Sequence, residues 1–152
     1  EVNSSTNVHR YAFSNCYNLE KMYIPEGVSK IGDNIFQSCS SLISIIVDAD
    51  NNYYDSRNNC NAIVDSYTHT LIASCQNTTI PTDIRSIGDY AFSGMQYGNK
   101  NFTTNISIPL SVAYMGESVF KTNNEGTALG LMEALIPVLC HGNFSTYQSY
   151  LP

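Results

Sequence analysis

The sequence predicts a β-rich solenoid: a right-handed stack of about five to six short coils, with short parallel strands, 3₁₀ or short helical turns and one inserted β-hairpin. Three observations carry this expectation. The phrase IPEGVSKIGDNIF (24–36) returns as IPTDIRSIGDYAF (80–92) and as IPLSVAYMGESVF (108–120). Each copy keeps apolar residues at its first, fifth, eighth and last positions, with Pro second and Gly ninth. Finally, Pro25, Pro81, Pro109 and Pro137 mark successive copies, and Asp48 stands where a further Pro would fall, giving spacings of 23, 33, 28 and 28 residues. Periods in this range belong to stacked repeats, because one unit cannot bury its apolar face alone.

Each element follows from a local reason. VHRYAF (8–13) is the tail of a first copy, with Val8 and Phe13 at the Ile31 and Phe36 positions. In LEKMYIP (19–25), Leu19, Met22 and Ile24 point inward on a short strand that Pro25 ends, since proline brings no N–H to a ladder. Val28 and Ile31 follow inward, and Gly32 is expected to take a positive φ at a corner. Asp33 and Asp89 are expected to cap one short turn, above Phe36 and Phe92 in the core. The expected core is Phe13, Leu19, Ile24, Ile31, Phe36, Leu42, Ile87, Phe92, Ile108 and Phe120, with the four phenylalanines in one column. At about 4.8 Å per coil the stack is about 25–30 Å long.

The phrases IGDNIFQSCSSL and IGDYAFSG resemble the BspA-like leucine-rich repeats of bacterial surface proteins, whose unit runs Ile-Gly-x-x-Ala-Phe-x-x-Cys-x-x-Leu-x-x-Ile-x-Ile-Pro. The likeness covers residues 8 to about 120 and loosens afterwards. It implies a leucine-rich-repeat fold and an adhesive or host-interacting surface module, of a kind found in host-associated bacteria and some protozoan parasites.

The departures from the unit have their own logic. NAIVDS and HTLIAS, around Tyr67-Thr68, read as a β-hairpin protruding from the second coil, within an insertion at about 49–78. Shorter additions follow Phe92 and Phe120, with Gly98 and Gly126 at matching offsets. After Pro137 the pattern fails, and about 138–152 reads as a C-terminal cap on a single leucine-rich repeat domain spanning 1–152.

Composition narrows the function. Net charge is −6 and pI about 4.8, which argues against an electrostatic grip on nucleic acid or anionic lipid. No apolar run approaches the length of a membrane span, and EVNSSTNVHR does not read as a signal peptide. Cys16 and Cys39, three residues after successive repeat phenylalanines, read as small apolar fillers, with a disulfide or metal pair as the alternative; Met95 fills the next such slot and Cys140 a core slot. Cys60 and Cys75 flank the hairpin symmetrically about Tyr67-Thr68, so a cross-strand disulfide is possible if the register holds, and two free thiols are the alternative. DADNNYYD (48–55) offers Asp48, Asp50 and Asn52 at calcium-loop offsets, but Tyr53 stands where Gly is needed and Asn59 where Glu is, so it reads as a polar turn. His9, His69 and His141 are scattered, and Asp65, His69 and Cys75 lack any visible oxyanion hole, so no enzyme, metal or cofactor is expected.

What remains is binding or spacing. The outward residues at the Ile-Pro strand are Tyr23, Ile46, Thr79, Ser107 and Leu135, with Ile43 beside Ile46. Tyr23, Ile43 and Ile46 are expected to form an exposed apolar patch, joined by Tyr53, Tyr54 and Tyr67 from the insertion, unless the hairpin covers it. The expectation is a non-enzymatic, extracellular or surface-displayed module for a protein or glycan partner, such as host matrix or other bacteria; a structural spacer is the alternative.

Overall fold

The computed structural model describes residues 5–94 and 106–120. Pro137, Met95, Leu135, Cys140, His141, the two glycine-bearing additions and the C-terminal cap lie outside the described residues.

The described residues form nine short strands and no α-helix: β1 Thr6–Val8, β2 Lys21–Ile24, β3 Val28–Ile31, β4 Ser44–Val47, β5 Tyr54–Asp55, β6 Ala62–Asp65, β7 Thr70–Ser74, β8 Ser86–Ile87 and β9 Tyr114–Met115, with one 3₁₀ turn at Arg57–Asn59. Strands from neighbouring repeats pair in parallel, β1 with β3, β2 with β4 and β8 with β9. The repeat pattern sets the register: Val8 stands beside Ile31, Ile24 beside Val47 and Ile87 beside Met115, so the apolar positions of one repeat meet those of the next.

The hairpin is the main departure from expectation. β6 and β7 pair antiparallel, but the hairpin does not protrude. Its return strand β7 pairs in parallel with β8, setting Leu71 beside Ile87, and the N–H of Gly88 bonds the carbonyl of Leu71 at 2.8 Å. The N–H of Gly32 bonds Val8 and that of Gly116 bonds Ile87 in the same way, so Leu71 holds the place of a repeat isoleucine. Ala62, Ile63, Val64 and Leu71 are fully buried. The uninterrupted run Ala62-Ile63-Val64 has its explanation here, because a strand covered on both faces needs no polar alternation.

Two cores lie on either side of that hairpin. Phe36, Leu42 and Ile45 join Ile63 and Ala73 in one, while Phe92, Ile108 and Phe120 join Ala62, Val64 and Leu71 in the other. The four phenylalanines accordingly do not form one column. Phe13 stacks on Phe36 with ring centres 5.9 Å apart, and Phe92 on Phe120 at 5.3 Å, in two separate pairs. The turns of the two groups still meet, through a hydrogen bond from Ser93 Oγ to Asn34 Oδ1 and through Gly94, where an added Cβ would collide with the carbonyl of Phe36. Ile24, Leu42, Ile87 and Ile108 are buried as expected, whereas Phe13, Leu19 and Ile31 are half-buried, packed against the edge of the first core.

The turn chemistry also differs from expectation. Positive φ falls at Tyr11, Asn34, Tyr90 and Ser118, two residues beyond His9, Gly32, Gly88 and Gly116 in each repeat. The repeat glycine serves close approach instead: a Cβ on Gly32 would lie 2.6 Å from the backbone nitrogen of Arg10, so only glycine lets the two repeats pack. Asp89 does not cap its own turn; its Oδ1 accepts the N–H of Glu117 in the next repeat at 2.7 Å, while Asp33 pairs with Arg10 at 3.2 Å.

Candidate binding face

The candidate face is built on β2 and β4. Alternation along a strand sends Met22 and Ile24 toward the core and Tyr23 outward; on β4 it buries Ile45 and Val47 and turns Ile46 out. Tyr23 and Ile46 are register partners, so their side chains stand side by side on one face. They are 56% and 54% exposed, and Ile43, whose N–H bonds the carbonyl of Glu20, is 38% exposed. The hairpin leaves this patch open.

A polar frame orients the patch. The Tyr23 hydroxyl donates to Asp48 Oδ2, and Asp48 Oδ1 accepts the N–H of Asp50 at 2.9 Å. The bond from Tyr23 holds the Asp48 carboxyl below the usual carboxylate range; the same bond, with the fields of Asp48, Glu26 and Asp50, pushes the Tyr23 phenol up. The DADNN segment is thus a polar turn, as expected, and its key member is Asn51, which sequence reasoning missed. Asn51 Nδ2 donates to the carbonyls of Pro25 and Val28 at 2.9 and 3.0 Å, and Oδ1 accepts the N–H groups of Tyr53 and Tyr54 at 2.9 Å each. One amide therefore fills its hydrogen-bonding capacity in stitching the insertion to the second repeat.

That stitch separates two tyrosines that the sequence grouped together. Tyr54 is a correction: it is only 7% exposed, packs in the first core, and its hydroxyl accepts the N–H of Ile31 at 3.0 Å. Tyr54 opens β5 and points inward, while Tyr53, in the bend just before the strand, is left out. Tyr53 is more than half exposed, and Tyr67 at the hairpin tip is 94% exposed. These two share the β5–β6 edge, where the N–H of Ser66 bonds the carbonyl of Tyr53 at 2.9 Å. Sequence reasoning also missed exposed Tyr114 and Leu110, although the third phrase marks them by placing Leu where Glu26 and Thr82 stand, and Tyr where Lys30 and Ser86 stand.

The chemical candidates have structural partners. Cys39 is buried, its thiol donating to the carbonyl of Phe13 at 3.0 Å and pushed up to about 11, chiefly by burial, which fits the filler reading; Cys16 is exposed, which corrects that reading for the first repeat. Cys60 and Cys75 are free thiols, which corrects the possible disulfide. A bulge between Ile63 and Val64 pairs Val64 with Leu71 but Ile63 with Ala73, shifting the register by one residue. Cys60 therefore faces one core and Cys75 the other. The triad residues serve separate ends: Asp65 accepts the N–H groups of Tyr67 and Thr68, Cys75 donates to the carbonyl of Asn61, and His69 lies 3.2 Å from Arg57.

Arg57 forms the strongest ionic cluster among the described residues. It meets Asp55 at 2.6 Å and Asp83 at 2.6 Å, tying the insertion to the following repeat. Its guanidinium holds Asp83 low and, against the opposing effect of burial, holds Asp55 low as well. No group of three or more His, Cys, Asp or Glu among the described residues is arranged to hold a metal ion, and no described helix is long and apolar enough to cross a membrane.

Parallel pairing of short strands from successive repeats, with an open apolar face on one side, defines a strand-dominated repeat protein. The chain belongs to the family described as the BspA type leucine-rich repeat region (6 copies), which it matches over residues 2–69 and 62–129. It is similar in fold to a leucine-rich repeat protein of Eubacterium ventriosum, with a TM-score of 0.55 and 22% identity over 76% of this chain and 36% of that one. A leucine-rich cell-surface protein of Faecalibacterium prausnitzii matches with a TM-score of 0.53 and 22% identity over 79% and 33% of the two chains. The pneumococcal vaccine antigen PcpA matches with a TM-score of 0.51 and 18% identity over 74% and 39%. The chain thus spans little more than a third of the structures it resembles. A search of curated protein sequences finds no match.

Proposed function

We propose that this chain is a non-enzymatic binding module of a secreted or surface-displayed protein, recognising a protein or glycan partner such as host matrix or another bacterium. In this reading, residues 1–152 form one domain, a right-handed solenoid that holds the Tyr23–Ile43–Ile46 face rigid, with Tyr53 and Tyr67 as an adjoining group. The observation that carries it is the pairing of Tyr23 with Ile46 in register, both more than half exposed. Neighbouring apolar side chains fixed open to water cost solvation free energy and usually mark a contact site. Tyrosine adds broad contact area at low entropic cost. The surface description of the Faecalibacterium relative and the family membership support display outside the cell.

A spacer reading is favoured by Thr79 and Ser107, which fill the corresponding outward positions with small polar groups. One experiment separates the two. The Tyr23→Ala/Ile46→Ser variant, checked for fold by circular dichroism, is compared with wild type for binding to immobilised matrix proteins and to a glycan array. Loss of binding by a folded variant supports this face. Unchanged binding eliminates it, and a wild type that binds nothing favours the spacer.

A further inference from the structure

Accepting that reading of the Tyr23–Ile46 face, we infer that its occupant is a basic segment of a partner protein, with a lysine or arginine side chain lying over the Tyr23 ring beside Asp48 and apolar neighbours packing on Ile46 and Ile43. The argument is charge complementarity on an apolar face. Exposed Glu20, Glu26 and Asp50 and half-buried Asp48 surround the patch along the chain, answered in the same stretch by Lys21 and Lys30. Asp33, the remaining carboxylate of that stretch, is already paired with Arg10.

Tyr23 is held for such a contact. Its hydroxyl donates to Asp48, which fixes the ring and enriches its π-face, and more than half of its surface remains open. A cation over a tyrosine face is attracted by the ring quadrupole. Asp48, kept ionised by the bonds from Tyr23 and Asp50, offers the countercharge at the hydroxyl end of the same ring, and Glu26 and Asp50 add to the negative field there. An acidic partner would meet the like charge of Asp48, Glu26 and Asp50 at the Tyr23 end of the patch, while Lys21, on the same outward face of β2, stands toward the strand's other end.

The test uses the full chain and three labelled octapeptides in which valine alternates with lysine, glutamine or glutamate, followed by fluorescence anisotropy at low and high salt. The expected result is binding of the lysine peptide, weakened by salt, with the glutamine peptide weaker and the glutamate peptide not bound. Tyr23→Ala should weaken the lysine peptide about two- to five-fold. Glu26→Gln/Asp50→Asn should weaken it to a similar degree while leaving the Tyr23–Asp48 bond in place, which guards against a variant that fails to fold. Equal or tighter binding of the glutamine peptide, lost in Tyr23→Ala/Ile46→Ser, would overturn the basic partner while leaving the face as a contact surface; so would capture of a neutral glycan by this face with no lysine-peptide binding. Lysine-peptide binding that is unchanged in both variants would overturn the proposal by placing the attraction elsewhere on an acidic chain, as would the absence of any peptide binding.

Discussion

Cys60 and Cys75 are equidistant in sequence from the hairpin tip yet face opposite cores, because a bulge in the β6–β7 ladder slips the register by one residue between them. Cys60 donates to the carbonyl of Ala62 and Cys75 to that of Asn61, and burial raises both thiols. Alkylation of the native chain should therefore mark Cys16 quickly and leave Cys39, Cys60 and Cys75 nearly unmarked, since the thiolate is the reactive form. Unfolding without reductant should open all of them to label. Peptide mass mapping reads both outcomes, and a linked Cys60–Cys75 peptide would contradict the register.

Phe36 is buried in the first core and stacked on Phe13. Phe36→Ala should cost about 3–5 kcal/mol by the usual scale for core truncation. Against a total stability of about 5–15 kcal/mol, that is a large fall. Denaturant melts measure it, and a midpoint indistinguishable from wild type would remove Phe36 from the core.

Asn51→Ala removes one amide and with it four hydrogen bonds, two to carbonyls and two from N–H groups, although the Pro25 carbonyl keeps the N–H of Val28 at 3.2 Å. With Asn51 buried, the expected loss is about 2–3 kcal/mol, the cost of unanswered buried polar groups. Tyr54 fluorescence should become more accessible to quencher as the insertion loosens. Unchanged stability and quenching would show that the stitch is dispensable.

The Arg57 cluster sets a pH dependence whose sign is fixed. Asp83 and Asp55 both sit below the ordinary aspartate value in the folded chain. A depressed carboxylate contributes stability that is complete above its unfolded pKa, about 3.9, and is lost as pH falls through the lower folded value. Arg57→Met should therefore melt below wild type at neutral pH, and the gap should shrink from about pH 4 downward. A gap that does not change with pH would mean that the cluster contributes by packing alone.

The periodicity of the chain determined a good deal on its own. The recurring phrase set which isoleucines and phenylalanines go inside, which repeats align, and that Tyr23 and Ile46 point outward, because alternation along a strand is a property of consecutive residues. Only tertiary structure decided the rest. Leu71 became a rung of the repeat ladder and Tyr54 a core residue; the repeat glycines were required by a neighbouring backbone, with positive φ falling elsewhere. Asn51 and Arg57 found partners more than twenty residues away. Each of these depends on contacts between segments distant in sequence, and one bulge residue was enough to exchange the faces of β7 between Leu71 and Ala73, a slip that no local pattern marks.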